Sequence, residues 1–63
     1  MYRLLVYHPG ERAARHTITL ARAADVLTLI PDLLAEHHDC EHVVVMFDEV
    51  RLFAVDCAGN RLP

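Results

Sequence analysis

The hydrophobic pattern of the N-terminal third is that of two short β-strands. Tyr2 to His8 alternates between two sets of side chains, and His16 to Leu20 alternates strictly and is rich in β-branched residues. Pro9-Gly10 and the polar residues after it interrupt the alternation. The pattern therefore predicts a hairpin whose loop has about six residues.

From Asp25 the apolar positions recur every three or four residues, which indicates an amphipathic helix. Asp25 is the predicted N-cap, because its carboxylate can accept the unpaired amides of the first turn. Pro31 lies inside the pattern, where a proline removes one hydrogen bond and costs about 3 kcal/mol. Either the helix kinks at Pro31, or residues 25 to 29 form a separate turn and Pro31 lies in the first turn of the main helix. The apolar positions are Val26, Leu29, Ile30, Leu33, Leu34 and His37.

A second hairpin follows the helix. His42 to Phe47 is apolar on both faces, which is typical of a central strand, and Val50 to Val55 alternates. Asp48-Glu49 is the predicted two-residue loop. The register that this loop implies pairs Phe47 with Val50, Met46 with Arg51, Val45 with Leu52, Val44 with Phe53, Val43 with Ala54 and His42 with Val55. The tail Arg61 to Pro63 either adds a short fifth strand or frays.

These segments predict one small α+β domain over residues 1–63, with the order ββαββ. Its four-stranded antiparallel sheet carries one amphipathic helix packed on one face. The sheet residues predicted to lie under the helix are the wholly apolar set Ile18, Leu20, Val43, Val45, Phe47, Val50, Leu52 and Ala54.

One helix covers one sheet face, so the other face is predicted to be an interface. Its apolar residues would expose several hundred Å², as much as the largest patch of a typical soluble monomer. A domain of this size buries only about 60% of its unfolded surface, which favours help from a partner. A homodimer is the main prediction, with another protein as a further partner; a half-solvated face is the alternative. The predicted interface residues are Leu5, Tyr7, Val44, Met46, Phe53 and Val55.

Composition limits the other partners and the location. The net charge is −3, and all six cations are arginines scattered along the chain, a usage typical of GC-rich bacterial coding. A basic surface for phosphates is absent, so nucleic-acid binding is disfavoured, although Tyr7 and Phe53 are able to stack on bases. No apolar stretch approaches the roughly 20 residues of a membrane helix or forms a signal-peptide core. The prediction is a cytoplasmic protein that does not bind membranes, with Cys40 and Cys57 as reduced thiols.

The residue types that are missing disfavour catalysis. The chain has no Ser, Lys, Gln or Trp and only two Gly, which excludes a serine nucleophile, a Schiff-base lysine and Gly-rich phosphate loops. Activation of Cys40 by His42 or His38 is opposed by the helix C-terminus, whose dipole disfavours a thiolate. A non-catalytic binding module without a cofactor is therefore the prediction.

The segment His37 to His42 provides the one alternative with specific chemistry. The predicted register, extended by one pair, puts Cys40 opposite Cys57 and on the same sheet face as His42, and His37 or His38 would complete a four-ligand zinc shell. The spacing of known zinc modules is absent. The favoured interpretation is a helix C-terminus decorated with histidines, and a disulfide is the remaining alternative. His8 and His16 are predicted to be exposed histidines that face each other across the first hairpin.

Overall fold

The computed structural model describes all 63 residues and confirms the predicted α+β fold. The elements are β1 (Tyr2–Tyr7), β2 (His16–Leu20), α1 (Ala23–Glu36), β3 (His42–Phe47) and β4 (Val50–Asp56). The four strands form one antiparallel sheet in the order β2-β1-β3-β4. The central strands are therefore β1 and β3. No helix has the length and apolar character that crossing a membrane requires.

The core lies between the central strands and α1. Leu4 and Val6 of β1 are wholly buried and pair with Val45 and Val43 of β3, so the same face of both strands meets the helix. The alternation of β1 explains this, because Leu4 and Val6 are two residues apart and point to one face. From the helix, Val26 and Leu33 complete the core.

The helix is continuous from Ala23 to Glu36 with Pro31 inside it, so the alternative of a separate turn over residues 25 to 29 is wrong. The predicted N-cap is also wrong: the N-cap is Arg22, which makes no side-chain capping bond, and Asp25 lies in the first turn. The Asp25 carboxylate instead lies 3.3 Å from the Arg22 side chain. Pro31 is exposed, so water can hydrate the Leu27 carbonyl that loses its helical partner.

The second hairpin follows the predicted register only near its turn. Phe47 pairs with Val50 and Met46 with Arg51, as expected, but a β-bulge between Val45 and Met46 then shifts the pairing by one residue. Leu52 is the extra residue of the bulge and has no direct partner. Beyond it, the pairs are Val45 with Phe53, Val44 with Ala54, Val43 with Val55 and His42 with Asp56.

The bulge reverses the faces that were predicted for the second half of β4. A shift of one residue moves each side chain to the opposite face of a sheet. Val55 consequently enters the core and Phe53 packs against it, on the side of the helix. Ala54 lies on the opposite face beside Val44, and its backbone carbonyl accepts a hydrogen bond from the amide of Leu62 at the edge of the sheet. Arg61 pairs with Val55, so the tail adds the short fifth strand that was one predicted alternative.

The helix leaves the β3–β4 turn end of its sheet face uncovered, although Val43, Val45 and Val55 of these strands are buried in one core with Val26 and Leu33. Its backbone approaches β1 and β2, but no Cα atom of α1 lies within 8 Å of β3 or β4. Three residues that were predicted to lie under the helix are therefore exposed: Phe47 by 40%, Val50 by 59% and Leu52 by 45%. The β3–β4 end of the helix-facing side is open and apolar.

Candidate functional site

The structure does not assemble the predicted zinc ligands. Cys40 is buried in the core, whereas His42 lies on the opposite sheet face, stacked on Tyr7 with ring centroids 4.8 Å apart. The predicted common face is wrong because Cys40 lies in the turn before β3 and the bulge shifts the register of Cys57. His38 is exposed. No group of three His, Cys, Asp or Glu side chains converges closely enough to hold a metal in this conformation.

The two cysteines form a disulfide, which corrects the prediction of reduced thiols. Their Cα atoms are 5.7 Å apart, within the usual range for a bridge. The Cys57 Sγ also lies 3.1 Å from the backbone carbonyl oxygen of His37, which ends the helix. The bridge therefore fastens the C-terminal end of α1 to the end of β4.

Three histidines gather beside this disulfide. His37 is half-buried, and its ring centroid lies 5.5 Å from that of His8 and 5.4 Å from that of His16. His8 is only 3% exposed, so the prediction of an exposed His8 is wrong, while His16 is exposed as expected. The Asp39 carboxylate lies 3.8 Å from the other side of the His8 ring.

The sheet face without the helix is less apolar than predicted. Phe53 and Val55 belong to the helix-facing side, so the predicted interface shrinks to Leu5, Tyr7, Val44 and Met46, all of which are half-buried. Pairing across the strands surrounds them with polar residues, because directly opposed residues share a face. These polar neighbours are Arg3, Thr17, Thr19, His42, Arg51 and Asp56.

The uncovered β3–β4 turn end of the helix-facing side contains an apolar cavity of about 230 Å³. Leu27 of the helix borders it and is 67% exposed, which makes it the most exposed large apolar residue of the chain. All the lining residues are hydrophobic: Tyr2, Ala23, Val26, Leu27, Val45, Leu52 and Phe53. Together with Phe47 and Val50 they form what we call the apolar groove.

A carboxylate holds the turn that carries Cys57. The Asp56 side chain accepts hydrogen bonds from the backbone amides of Ala58 and Asn60, both at 2.9 Å, and from the Asn60 side chain. The amide of Asn60 is the largest of the causes that lower the pKa of Asp56 below its ordinary 3.8. Gly59 has a φ of +90° in this turn, a conformation that side chains rarely adopt.

Sequence reasoning missed both the apolar groove and the contact of His8 with His37, although signals for the histidines exist. The alternation of β1, continued by one step, puts His8 on the face of Leu4 and Val6. The helical period puts His37 on the apolar stripe of α1. The sequence contains no such signal for the groove, because the hydrophobic pattern of a helix does not predict which strands the helix will cover.

Comparisons with protein-family models, with curated proteins and with solved structures give no match.

Proposed function

We propose that the protein is a small non-catalytic module that binds a second copy of itself through the apolar groove. The observation that carries this proposal is the position of Leu27, an exposed apolar side chain at the border of an apolar cavity. A protruding group beside a recess of the same character is what a two-fold contact needs, because each copy can then fill the other's recess. The Leu27 side chain of each protomer would enter the partner's cavity.

The chemistry of the groove favours an apolar partner over a charged one. Every lining residue is hydrophobic, and the cavity contains no charged side chain. Two of the nearby charges are paired with opposite charges, Arg22 with Asp25 and the N-terminal ammonium with Asp48, and the guanidinium of Arg61 lies over the Phe53 ring. A second copy presents the same neutral apolar surface and needs no unpaired charge to be buried.

The size of the surface is compatible with a dimer. A standard interface buries about 800 Å² on each partner. The whole protein exposes 4128 Å², so such a contact would cover about one fifth of it. The cavity, its exposed border and the β3–β4 turn form one contiguous area on one end of the molecule. Only ten residues of the chain are buried, so a domain this small gains stability from a partner.

Association through the apolar groove is favoured over pairing through the edge strand β4. β4 is an edge strand, but the bulge at Leu52 interrupts it and Arg61 covers its Val55 end. Bulges and short covered edges are features that oppose edge-to-edge pairing. Association through the groove, unlike strand pairing, does not require unpaired backbone amide and carbonyl groups on the partner.

The test is the mass of the protein in solution as its concentration is raised through the micromolar range. Analytical ultracentrifugation should show an increase from one chain of 7.2 kDa towards twice that mass. Leu27→Arg should keep the protein monomeric at every concentration, because it places a charge in the apolar contact. Ala35→Arg is the matched control: it adds the same side chain eight residues further along the exposed helix, about 12 Å away.

A second pair of variants separates the apolar groove from the sheet face predicted by the sequence. Leu52→Arg changes the groove and Met46→Arg changes the other face, and both residues lie near the same hairpin turn. Loss of association by Leu52→Arg alone supports the groove. Loss by Met46→Arg alone would move the interface to the face of Leu5 and Tyr7, and a monomeric wild type would end the proposal.

The cytoplasmic location predicted from the sequence is in tension with the disulfide, because such bonds persist mainly in oxidising compartments. Labelling of free thiols in intact cells decides between them. Labelling of Cys40 and Cys57 supports the cytoplasm, and protection from the label supports an oxidising compartment.

A further inference from the structure

The pair formed by His8 and His37 has the spacing of two metal ligands. The Nε2 of His8 lies 3.4 Å from the Nδ1 of His37, which is long for a hydrogen bond between ring nitrogens. Two nitrogens bound to one tetrahedral zinc, each about 2.0–2.1 Å from it, lie about 3.3 Å apart. The separation of these two nitrogens therefore already matches that of two ligands on one zinc.

A carboxylate lies near the other nitrogen of the His8 ring, within reach of a small side-chain movement. The Nδ1 of His8 faces the carboxylate of Asp39, at 3.8 Å. Metal-binding histidines commonly direct the nitrogen that does not bind the metal to a carboxylate, which fixes the tautomer and the orientation of the ring. With its proton on Nδ1, His8 presents the lone pair of Nε2 towards His37.

His16 supplies a third imidazole next to His37. Its ring centroid lies 5.4 Å from that of His37, and that of His8 lies 5.5 Å away. Two imidazoles on one tetrahedral zinc have centroids about 5 Å apart, so both spacings match. His16 is exposed at the start of the edge strand β2, so its side chain is free to rotate towards the metal.

We propose that His8, His37 and His16 bind one divalent transition metal of the zinc class. His8 contributes Nε2, His37 contributes Nδ1, and His16 rotates inward to complete three ligands, which leaves the fourth position to water. Asp39 is a positioning residue that acts through His8. In the metal-free conformation only two ligand atoms are in place, which agrees with the lack of a converged group of three.

The disulfide holds the site without taking part in it. Cys40 directly follows the turn that contains His37 and Asp39. Its bond to Cys57 fixes this turn against the end of β4. In the oxidised protein neither sulfur is a thiolate, so neither competes as a ligand. The site is consequently a nitrogen site, distinct from the thiolate site that the sequence suggested, and it does not depend on self-association.

The experiment is calorimetric titration of the oxidised wild type, checked for the absence of free thiols, with zinc chloride. We expect one zinc per chain. His16→Ala should weaken binding by about 10-fold or more, and Asp39→Asn by about 10-fold. His38→Ala is the matched control, because His38 neighbours His37 but is exposed and outside the cluster; its affinity should stay within about twofold of the wild type.

His8 is buried, so the His8→Ala variant must first show the same circular dichroism spectrum as the wild type. A folded His8→Ala variant should not bind zinc. A second readout is the ¹⁵N chemical shift of the histidine rings, in which zinc should move His8 Nε2 and His37 Nδ1 but no nitrogen of His38 or His42. No binding at millimolar zinc would overturn the proposal. Binding that His16→Ala and Asp39→Asn leave unchanged, or that His38→Ala removes, would overturn it as well.

Discussion

Cys40 and Cys57 are bonded to each other although they are not directly opposed in the sheet. The last pair of the ladder joins His42 to Asp56, and the same register continued would place Cys40 opposite Ala58. The turn after α1 and the turn after β4 bring the two Cα atoms to 5.7 Å. The bridge therefore connects two turns, 17 residues apart in the sequence, at the end of the molecule where the helix stops.

Reduction of this disulfide should destabilise the domain strongly. Closing a loop of this length in the unfolded chain is worth about 3 kcal/mol, which corresponds to roughly 12–24 °C in Tm for a domain this small. Thermal unfolding followed by circular dichroism, with and without a phosphine reductant, measures the effect. Cys40→Ala with Cys57→Ala is the control, since its Tm should be low and insensitive to the reductant. An unchanged Tm of the reduced wild type would contradict the expectation.

The turn closed by Asp56 predicts a pH dependence. Hydrogen bonds from the amides of Asn60 and Ala58 favour the carboxylate and lower its pKa in the folded state below the ordinary 3.8. The stability that this group contributes is therefore fully present above its unfolded pKa and is lost as the pH falls through the folded pKa. Asp56→Asn should unfold at lower temperature than the wild type at pH 6, and the difference should shrink as the pH is lowered below 4.

Asp32→Asn is the control for that pH series. Asp32 is an exposed helical carboxylate, so its replacement should leave the difference from the wild type nearly constant with pH. Chemical denaturation at pH 6, 5, 4 and 3 provides the comparison. A difference between Asp56→Asn and wild type that grows on acidification would show that Asp56 is not held by its turn.

The elements were predictable from the sequence because each has a clear period, but the faces of β4 were not. The alternation Val50 to Val55 reads the same with or without a bulge, so the pattern predicted one regular register. The structure inserts Leu52 as an extra residue, and Phe53 and Val55 move from the open face to the helix-facing side. With this shift, Val55 becomes a core residue and Phe53 packs against the core at the border of the cavity, so the exposed apolar surface lies on the helix-facing side of the sheet.

The histidine cluster shows the same limit for a site. The sequence pattern predicted a candidate site at residues 37 to 42 because the possible ligands are adjacent there. In the structure, His42 and His37 lie on different sides of the sheet. His8 and His37 are separated by 29 positions and meet only because β1 and α1 end at the same edge of the core. Adjacency in sequence is weak evidence for a site when a strand begins between the residues, since alternation then separates them.

Pro31 should lower the stability of the helix, and an alanine at this position should restore it. A proline in a helix interior removes the hydrogen bond to the residue four positions earlier, here Leu27, and is about 3 kcal/mol less favourable than alanine. Pro31→Ala should therefore raise the free energy of unfolding, by up to about 3 kcal/mol, in urea denaturation. Asp32→Ala, next to it and also exposed, should gain less than about 0.7 kcal/mol. Equal gains from the two variants would mean that the helix is already relaxed around the proline.

The C-terminal tail should be anchored by Arg61, whose guanidinium lies 4.6 Å from the centre of the Phe53 ring. A cation over an aromatic face at an exposed position contributes about 0.5–1 kcal/mol. Because Phe53 also borders the cavity of the apolar groove, Arg61→Ala should lower stability by that amount and expose more of the ring. Arg12→Ala in the exposed loop is the control and should change stability by less than about 0.5 kcal/mol. The same loss from both variants, measured by urea denaturation, would show that the tail is held by its backbone pairing with Val55 alone.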